Sequence, residues 1–192
     1  MPGERVAVFI DNSNVFHNLL DLRKIDRSWV SIYNPVELAK KLAGSREIVF
    51  VGFYCSRPPS YLLEEGLAGE KKYKTSMRYY SAVEKLSGVT VKYGSLKGNK
   101  GDTQEKNLDT QLTTDLVKMA ALNEFDVAII VSNDGDYASP ATTAKDIFKK
   151  RIEIAFFKGS LSMNLKKISD LTRRLRRSYF IDLPLDDDPE MA

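Results

Sequence analysis

The sequence predicts an α/β domain in which helices flank a mostly parallel sheet of five or six strands. Two observations support this fold class. Short apolar runs rich in β-branched and aromatic residues alternate along the chain with longer stretches of helical periodicity. The most apolar run, Val127–Val131, contains no polar residue, which is typical of parallel strands that are covered on both faces.

Five segments are predicted to be strands, and a sixth closes the chain. In order they are 5–10, 47–54, 89–93, Val127–Val131 and 152–157, with the closing segment 179–181 interpreted as a final strand or a packed tail. Between the third and fourth strands, residues 94–101 are predicted to form a basic, glycine-rich loop.

Helical periodicity predicts six helices between and after these strands. The clearest helix start is Asn34-Pro35-Val36-Glu37, where Asn suits the N-cap, Pro the first turn and Glu the capping position. The predicted helices are 15–22, 35–44, 61–87, 108–122, 137–149 and 162–177.

The composition is that of one folded domain. With 192 residues, 43% hydrophobic content and a net charge of +3, the chain can bury a sizeable core. We expect one domain over residues 1–183 and a disordered acidic tail at 184–192. The single cysteine, Cys55, excludes an intramolecular disulfide and a cysteine-based zinc site. Neither a membrane span nor a signal peptide is predicted, so we expect a cytoplasmic location.

Acidic residues follow two predicted strands at the point where each strand ends. Asp11 follows the first strand, and Asp134 and Asp136 follow the fourth. Since ligands of such folds bind beyond the carboxyl ends of the strands, these carboxylates are predicted to lie at the binding edge of the sheet. Each one alone fits a turn or a helix cap. Together they would repel one another unless cations or raised pKa values compensate.

Two further acids, Asp109 and Asp115, lie at the start of the helix that precedes the fourth strand. Their spacing turns them through about 240° net on a regular helix, so they cannot both point squarely at one ion. We expect Asp109 to face the strand ends and Asp115 to lie at the rim or below. Oxygen ligands favour hard cations, so the cluster predicts one or two Mg²⁺ or Mn²⁺ ions, which can promote phosphodiester hydrolysis.

Other catalytic arrangements have less support. His17 is the only histidine, which excludes a serine–histidine–aspartate triad and a histidine pair. No Gly-x-Gly-x-x-Gly pattern follows the first strand, so a dinucleotide site is not expected. A phosphatase-like or phosphoacceptor domain that uses Asp11 remains an alternative.

Basic residues are concentrated in two segments. Residues 71–106 contain nine Lys and Arg, and residues 145–178 contain eleven, with tyrosines among them. Cations that contact phosphates and aromatic rings that stack on bases are typical of proteins that bind single-stranded nucleic acid. The candidate substrate contacts are Lys97, Lys100, Lys106, Arg173, Arg174, Arg176 and Arg177.

Three segments resemble, in order and spacing, the motifs of the NYN domain, and most closely its LabA-like branch within the PIN-like nuclease superfamily. They are VFIDNSN at 8–14, KNLDTQLTTD at 106–115 and VSNDGDY at 131–137, and the resemblance spans about residues 5–183. The resemblance implies a three-layer PIN-like fold with an acidic metal pocket and metal-dependent ribonuclease activity.

The resemblance also implies roles for individual residues. Asp11, Asp109, Asp134 and Asp136 would be the catalytic, metal-binding carboxylates, and Asp115 would be a further metal ligand. Asn14 would orient Asp11 or contact substrate, and Ser132 would support the end of the fourth strand near the substrate.

These observations lead to the hypothesis of an endoribonuclease that uses Mg²⁺ or Mn²⁺ and prefers single-stranded RNA. A nucleic-acid-binding module with little or no catalysis is the first alternative, and the Asp11 phosphoacceptor is the second. DNA as the substrate and a homo-oligomeric state both stay open.

Overall fold

The sheet has parallel strands on both sides of a central strand. The computed structural model describes residues 3–97, 104–106, 108–159 and 161–185. Within these residues one sheet has the strand order β4-β3-β2-β1-β5-β6-β7, in which β4 alone is antiparallel to its neighbour. The strands are β1 Arg5–Asp11, β2 Glu47–Ser56, β3 Thr90–Lys97, β4 Gln104–Lys106, β5 Val127–Val131, β6 Arg151–Phe156 and β7 Leu171–Arg174. The predicted parallel sheet is confirmed.

Helices occupy both faces of the sheet. They are α1 Asn12–Ile25, α2 Pro35–Ala43, α3 Gly66–Glu84, α4 Leu108–Ala121, α5 Ala138–Asp146 and α6 Met163–Ile168. The predicted start of α2 is confirmed, since the Asn34 side chain accepts hydrogen bonds from the backbone N–H groups of Val36 and Glu37. None of the helices that the structure describes is long and apolar enough to cross a membrane.

Two apolar layers lie against the sheet. Alternate residues of β1 point to opposite faces, so Val8 packs with Leu19 of α1 and Leu38 of α2, whereas Phe9 packs with Leu112 of α4. The result is the predicted three-layer arrangement of helices, sheet and helices.

The strand order reverses at β1. From β1 the chain adds β2 and β3 on one side, and later β5, β6 and β7 on the other. Ligands of open parallel sheets bind in the crevice at such a reversal, beyond the carboxyl ends of the strands. Asp11, the last residue of β1, lies at this position.

The helix predicted over 162–177 is wrong in its second half. α6 ends at Ile168, and β7 follows in parallel pairing with β6. Asp170 starts this pairing, because its backbone N–H donates to the Ile152 carbonyl and its carboxylate accepts from the Ile152 N–H. The leucines, lysines and arginines of this segment are good helix formers, and pairing with the open edge of β6 overrides that preference.

Other predicted boundaries also change, among them the helix predicted over 61–87, which is α3 from Gly66 to Glu84. The predicted loop 94–101 is part of a strand up to Lys97, and β4 pairs with that end of β3. The closing segment is a packed tail, in which the Phe180 ring stacks on Phe157 at 5.7 Å. Leu183 is buried, whereas residues 186–192 lie outside the described residues, so the domain boundary and the disordered tail stay predictions.

Candidate metal-binding edge

Asp11 links β1 to α1 and is almost completely buried, with 4% of its surface exposed. Its Oδ1 accepts the backbone N–H of Asn14 at 3.0 Å, so the side chain caps the N-terminus of α1. Its Oδ2 accepts the hydroxyl of Ser132 at 2.9 Å. Both carboxylate oxygens are therefore held in fixed positions, one by the first turn of α1 and the other by the loop after β5.

The charge on Asp11 is costly in this environment. Burial raises the pKa of the Asp11 carboxyl to about 6, and the nearby charge of Asp109 adds to the rise. Hydrogen bonds from Asn14, Ser132 and Tyr137 lower the pKa without offsetting the burial. At neutral pH the group is ionised in a poorly solvated place, where a cation would stabilise it.

Tyr137 connects Asp11 to Asp109. Its hydroxyl oxygen lies 2.6 Å from Oδ1 of Asp109 and 3.2 Å from Oδ2 of Asp11. Burial, followed by the two carboxylates, raises the pKa of the tyrosine far above its ordinary value, so the group stays neutral. It has one proton for two carboxylates. Tyr137 therefore holds two like charges close together without neutralising either of them.

The first turn of α1 and the loop after β5 are joined by polar contacts. The backbone N–H of Asn133 donates to Oδ1 of Asn14 at 3.2 Å, and that of Asp134 donates to the Ser132 hydroxyl oxygen at 3.1 Å. The side chain of Asn133 pairs with both backbone groups of Phe157, at 2.9 and 3.2 Å. Asn14 and Ser132 thus hold the site together.

The two acids after β5 point in different directions. Asp134 is half-buried, and its Oδ1 accepts the backbone N–H of Asp136 at 3.1 Å, which caps the short turn Gly135–Tyr137. Asp136 is exposed and lines a shallow pocket between α4 and α5 that includes Lys118 and Ser139. Asp134 is thus joined to Asp11 through Ser132, whereas Asp136 faces the outer surface.

Asp115 is half-buried on α4 and contacts residues of β2 and β3. Its Oδ2 accepts the hydroxyl of Tyr54 at 2.8 Å and lies 3.7 Å from Nζ of Lys92. The Tyr54 ring extends back along β2 over Gly52, where an added Cβ would lie 2.6 Å from a ring carbon. The Asp115 carboxylate is therefore held by side chains of β2 and β3, and its role as a metal ligand stays a prediction.

Among the predicted carboxylates, the structure brings Asp11 and Asp109 together at Tyr137. Asp134 is linked to Asp11 through its backbone N–H and the Ser132 hydroxyl. No group of three or more His, Cys, Asp or Glu side chains converges as a closed metal site within the described ranges. The carboxylates of Asp11 and Asp109 suit a hard divalent ion, because such ions prefer oxygen ligands.

The predicted basic contacts are spread over several places. Arg173 lies against the buried Glu153, with Nε 3.6 Å from Oε2, and the Arg177 guanidinium donates to the Ser28 hydroxyl. Lys97 and Lys106 lie on the facing strands β3 and β4. Arg174 and Arg176 border a surface groove, and Lys100 lies outside the described residues.

Two residues that shape the site, Tyr137 and Tyr54, are not predicted from the sequence to contact the acids, and the burial of Glu153 in β6 is not predicted either. Tyr137 lies within the VSNDGDY motif, where the two acids before it at a strand end are the one signal of its contact with the carboxylates. Tyr54 ends an apolar run and looks like an ordinary core residue. Glu153 is fully buried in β6, where its charge is met by two hydrogen bonds from Arg46 at 2.7 and 3.0 Å.

The fold and the site together define a three-layer α/β domain with a carboxylate pair at the switch point of a parallel sheet. The family model of the NYN domain matches residues 5–175. The chain belongs to the NYN domain family, a family of PIN-like nucleases, and this membership supports a nuclease or RNA-related role. The LabA-like assignment stays a prediction.

The fold is also similar to that of a solved structure. A crystal structure of a protein of unknown function from Vibrio parahaemolyticus aligns with a TM-score of 0.63 and 17% sequence identity. The alignment covers 93% of this chain and 96% of the other. At this identity the similarity shows a shared fold. A comparison with curated proteins found no match.

Proposed function

We propose that the protein is a metal-dependent endoribonuclease that hydrolyses single-stranded RNA. The observation that carries the proposal is the pair of carboxylates, Asp11 and Asp109, held close together by the hydroxyl of Tyr137. The buried charge of Asp11 is unfavourable without a cation, and the chain belongs to a family of PIN-like nucleases.

Asp11 and Asp109 are the residues proposed to hold Mg²⁺ or Mn²⁺. Asp134, half-buried beside Ser132, is the third candidate ligand, and the exposed Asp136 is the candidate for positioning water. One ion or two would suit these oxygens. A bound divalent ion supplies Lewis-acid activation of the scissile phosphate and lowers the pKa of water.

The remaining side chains act by positioning. Asn14, in the first turn of α1, and Ser132, in the loop after β5, hold the two oxygens of Asp11. Tyr137 stays protonated, because its pKa is raised, and it fixes the distance between the two carboxylates. These hydrogen bonds orient the carboxylates before a cation or a substrate binds. Hydrogen bonds to metal-ligating side chains generally tune metal affinity in this way.

The alternative in which Asp11 accepts a phosphoryl group is less consistent with the geometry. Asp11 is 4% exposed, and both of its oxygens already accept hydrogen bonds. A nucleophilic carboxylate needs an open approach to phosphorus.

The other alternative is a nucleic-acid-binding module without catalysis. It differs from the nuclease only in activity, so a cleavage assay separates the binding module from the nuclease.

The test is cleavage of end-labelled single-stranded RNA and DNA of the same sequence in Mn²⁺, Mg²⁺ or EDTA. We expect internal cleavage of RNA with either metal, no product in EDTA, and loss of product in Asp11→Asn and Asp109→Asn. Asp146→Asn, on the exposed end of α5, is the matched control and should cut like the wild type. Cleavage that persists in EDTA, or in Asp11→Asn, would contradict the proposal.

A further inference from the structure

A groove at the β7 edge of the sheet is lined by cations from three parts of the chain. Lys41 comes from α2, Arg173 and Arg174 from β7, and Arg176, Ser178 and Tyr179 from the following turn. This edge groove has a volume of about 580 Å³. It contains four positive side chains, and no carboxylate is among its described lining residues.

The positive charge of the edge groove is poorly compensated from within the protein. Glu153 lies 3.6 Å from Nε of Arg173. Glu153 also pairs with Arg46 and Arg151, and these two arginines contact Glu4 as well, so three arginines share two carboxylates. Nε of Arg173 is buried and has no hydrogen-bond partner within the described residues.

Lys41 adds to the excess of positive charge in the edge groove. Its ammonium group donates to the backbone carbonyl of Ser178, which has no charge to offset it. Arg174 and Arg176 are exposed at the rim. The edge groove therefore attracts anions, and an anion with several phosphates spaced along a chain matches several cations spaced along a groove.

Strand register places Arg174 of the edge groove level with Asp11 at the carboxyl end of β1. Arg174 pairs with Phe156 at the carboxyl end of β6, and the neighbouring pairs Ala155–Val131 and Val131–Ile10 continue the same level across the sheet. β7 lies three strands from β1, which corresponds to roughly 14 Å at the usual strand spacing. A stacked strand covers that separation in about four nucleotides, at roughly 3.4 Å each.

We propose that the edge groove binds backbone phosphates of the single-stranded nucleic acid, about four nucleotides from the bond that is cut. This inference rests on the proposed nuclease function, since it names the path of that substrate. Tyr179, half-buried beside the cations, offers a ring face on which a base can stack. Because these contacts read phosphates and not bases, RNA and DNA strands of one sequence bind the groove alike.

The test is fluorescence anisotropy with a fluorescein-labelled 15-nucleotide single strand, in EDTA so that cleavage is absent. The variant Arg174→Glu/Arg176→Glu reverses two exposed charges and leaves Arg173 and its contact with Glu153 intact. The matched control Lys24→Glu/Arg27→Glu makes the same charge change at two exposed positions near the end of α1, outside both basic segments. Thermal melting checks that both variants are folded.

We expect the groove variant to weaken binding at least tenfold at 0.1 M salt, and the control to weaken it less than threefold. The dependence of log affinity on log salt should fall by roughly 0.7 for each phosphate contact that is lost. Equal weakening in both variants, or wild-type binding by the groove variant, would overturn the inference.

The two proposals fail in different ways. If the wild type binds the strand through the edge groove but does not cut with Mn²⁺, the nuclease proposal fails and the groove stands. If the wild type cuts RNA and the groove variant binds normally, the groove fails and the nuclease stands. RNA bound much more tightly than DNA in a groove-dependent way would also contradict a backbone-only contact.

Discussion

The hydroxyl oxygen of Tyr137 lies 2.6 Å from Oδ1 of Asp109, and through this contact α4 is tied to the carboxyl end of β5. The same hydroxyl lies 3.2 Å from Asp11 at the end of β1. Three chain segments that are distant in sequence thus meet at one neutral phenol. Its position explains why two carboxylates remain close together at the strand ends.

Replacing Tyr137 with Phe removes this shared hydroxyl and keeps the ring in the core. We expect metal-dependent cleavage to fall by roughly 10- to 100-fold, as is usual when a hydrogen bond to a metal-ligating side chain is lost. The pKa of Asp11 should rise, because the hydrogen bond from Tyr137 lowers it. Cleavage rates at a series of Mn²⁺ concentrations measure the first effect.

Tyr73→Phe, on α3, is the control for Tyr137→Phe. Activity of Tyr137→Phe within a factor of two of the wild type, at limiting as well as saturating Mn²⁺, would show that the hydroxyl does not position the carboxylates.

The raised pKa of Asp11 predicts a pH-dependent stability. The folded protein binds a proton at Asp11 more tightly than the unfolded chain, so the contribution of this group falls as pH rises from about 4 to about 6. The loss is complete above pH 6 and amounts to roughly 3 kcal/mol. Asp11→Asn removes the buried charge and keeps the hydrogen-bond pattern of the cap. We expect it to melt at a higher temperature than the wild type at pH 7.5 in EDTA.

Thermal melting of the wild type and of Asp11→Asn between pH 3.5 and 7.5 checks the direction of this pH dependence. The difference in Tm should shrink towards pH 3.5, where Asp11 is protonated in the folded and the unfolded chain. A saturating divalent ion should raise the Tm of the wild type more than that of the variant. A constant difference across the pH range would contradict the buried-charge explanation.

Asp109 and Asp115 should behave differently although both lie on α4. Asp109→Asn is expected to reduce cleavage by at least about 100-fold, because it removes a carboxylate from the proposed metal site. Asp115→Asn should mainly reduce stability, by roughly 1–3 kcal/mol, because Tyr54 and Lys92 lose a charged partner. Parallel measurements of cleavage and urea unfolding separate the two. An Asp115→Asn variant that is stable but inactive would instead favour direct metal binding by Asp115.

Gly52 makes room for the Tyr54 ring that reaches Asp115. A Cβ at this position would lie 2.6 Å from Tyr54, 2.7 Å from the Phe50 ring and 2.9 Å from the Tyr54 hydroxyl. Gly52→Ala should therefore destabilise the fold by about 1–3 kcal/mol, through displacement of buried rings. Gly3→Ala is the control, since its Cβ would meet nothing within 4 Å. A Gly52→Ala protein with the unfolding midpoint of the wild type would disprove this packing argument.

Much of the fold could be predicted locally. Val127–Val131 is a strand with the predicted bounds, because a fully apolar run that is covered on both faces needs no information from elsewhere. Asn34 caps α2 for an equally local reason, since its own side chain reaches the first free N–H groups of the helix. Both features depend on interactions within a few residues.

β7 shows where local reasoning fails. Its four residues, Leu171–Arg174, are half-exposed to exposed and polar at three positions. An edge strand has one neighbour and little buried surface, so it lacks the apolar run by which strands are recognised. Its identity depends on Asp170 meeting Ile152 and on Arg173 meeting Glu153, contacts that span 18 and 20 positions of the chain.

The sequence by itself determined that acids follow two parallel strands, β1 and β5, and hence that these acids share one edge of the sheet. Only the tertiary structure decided which of them meet. Tyr137 joins Asp11 to Asp109, while Tyr54 and Lys92 hold Asp115 elsewhere. The physical reason is that strand order sets the position of a residue along the sheet, whereas the direction of its side chain depends on partners that come from distant segments.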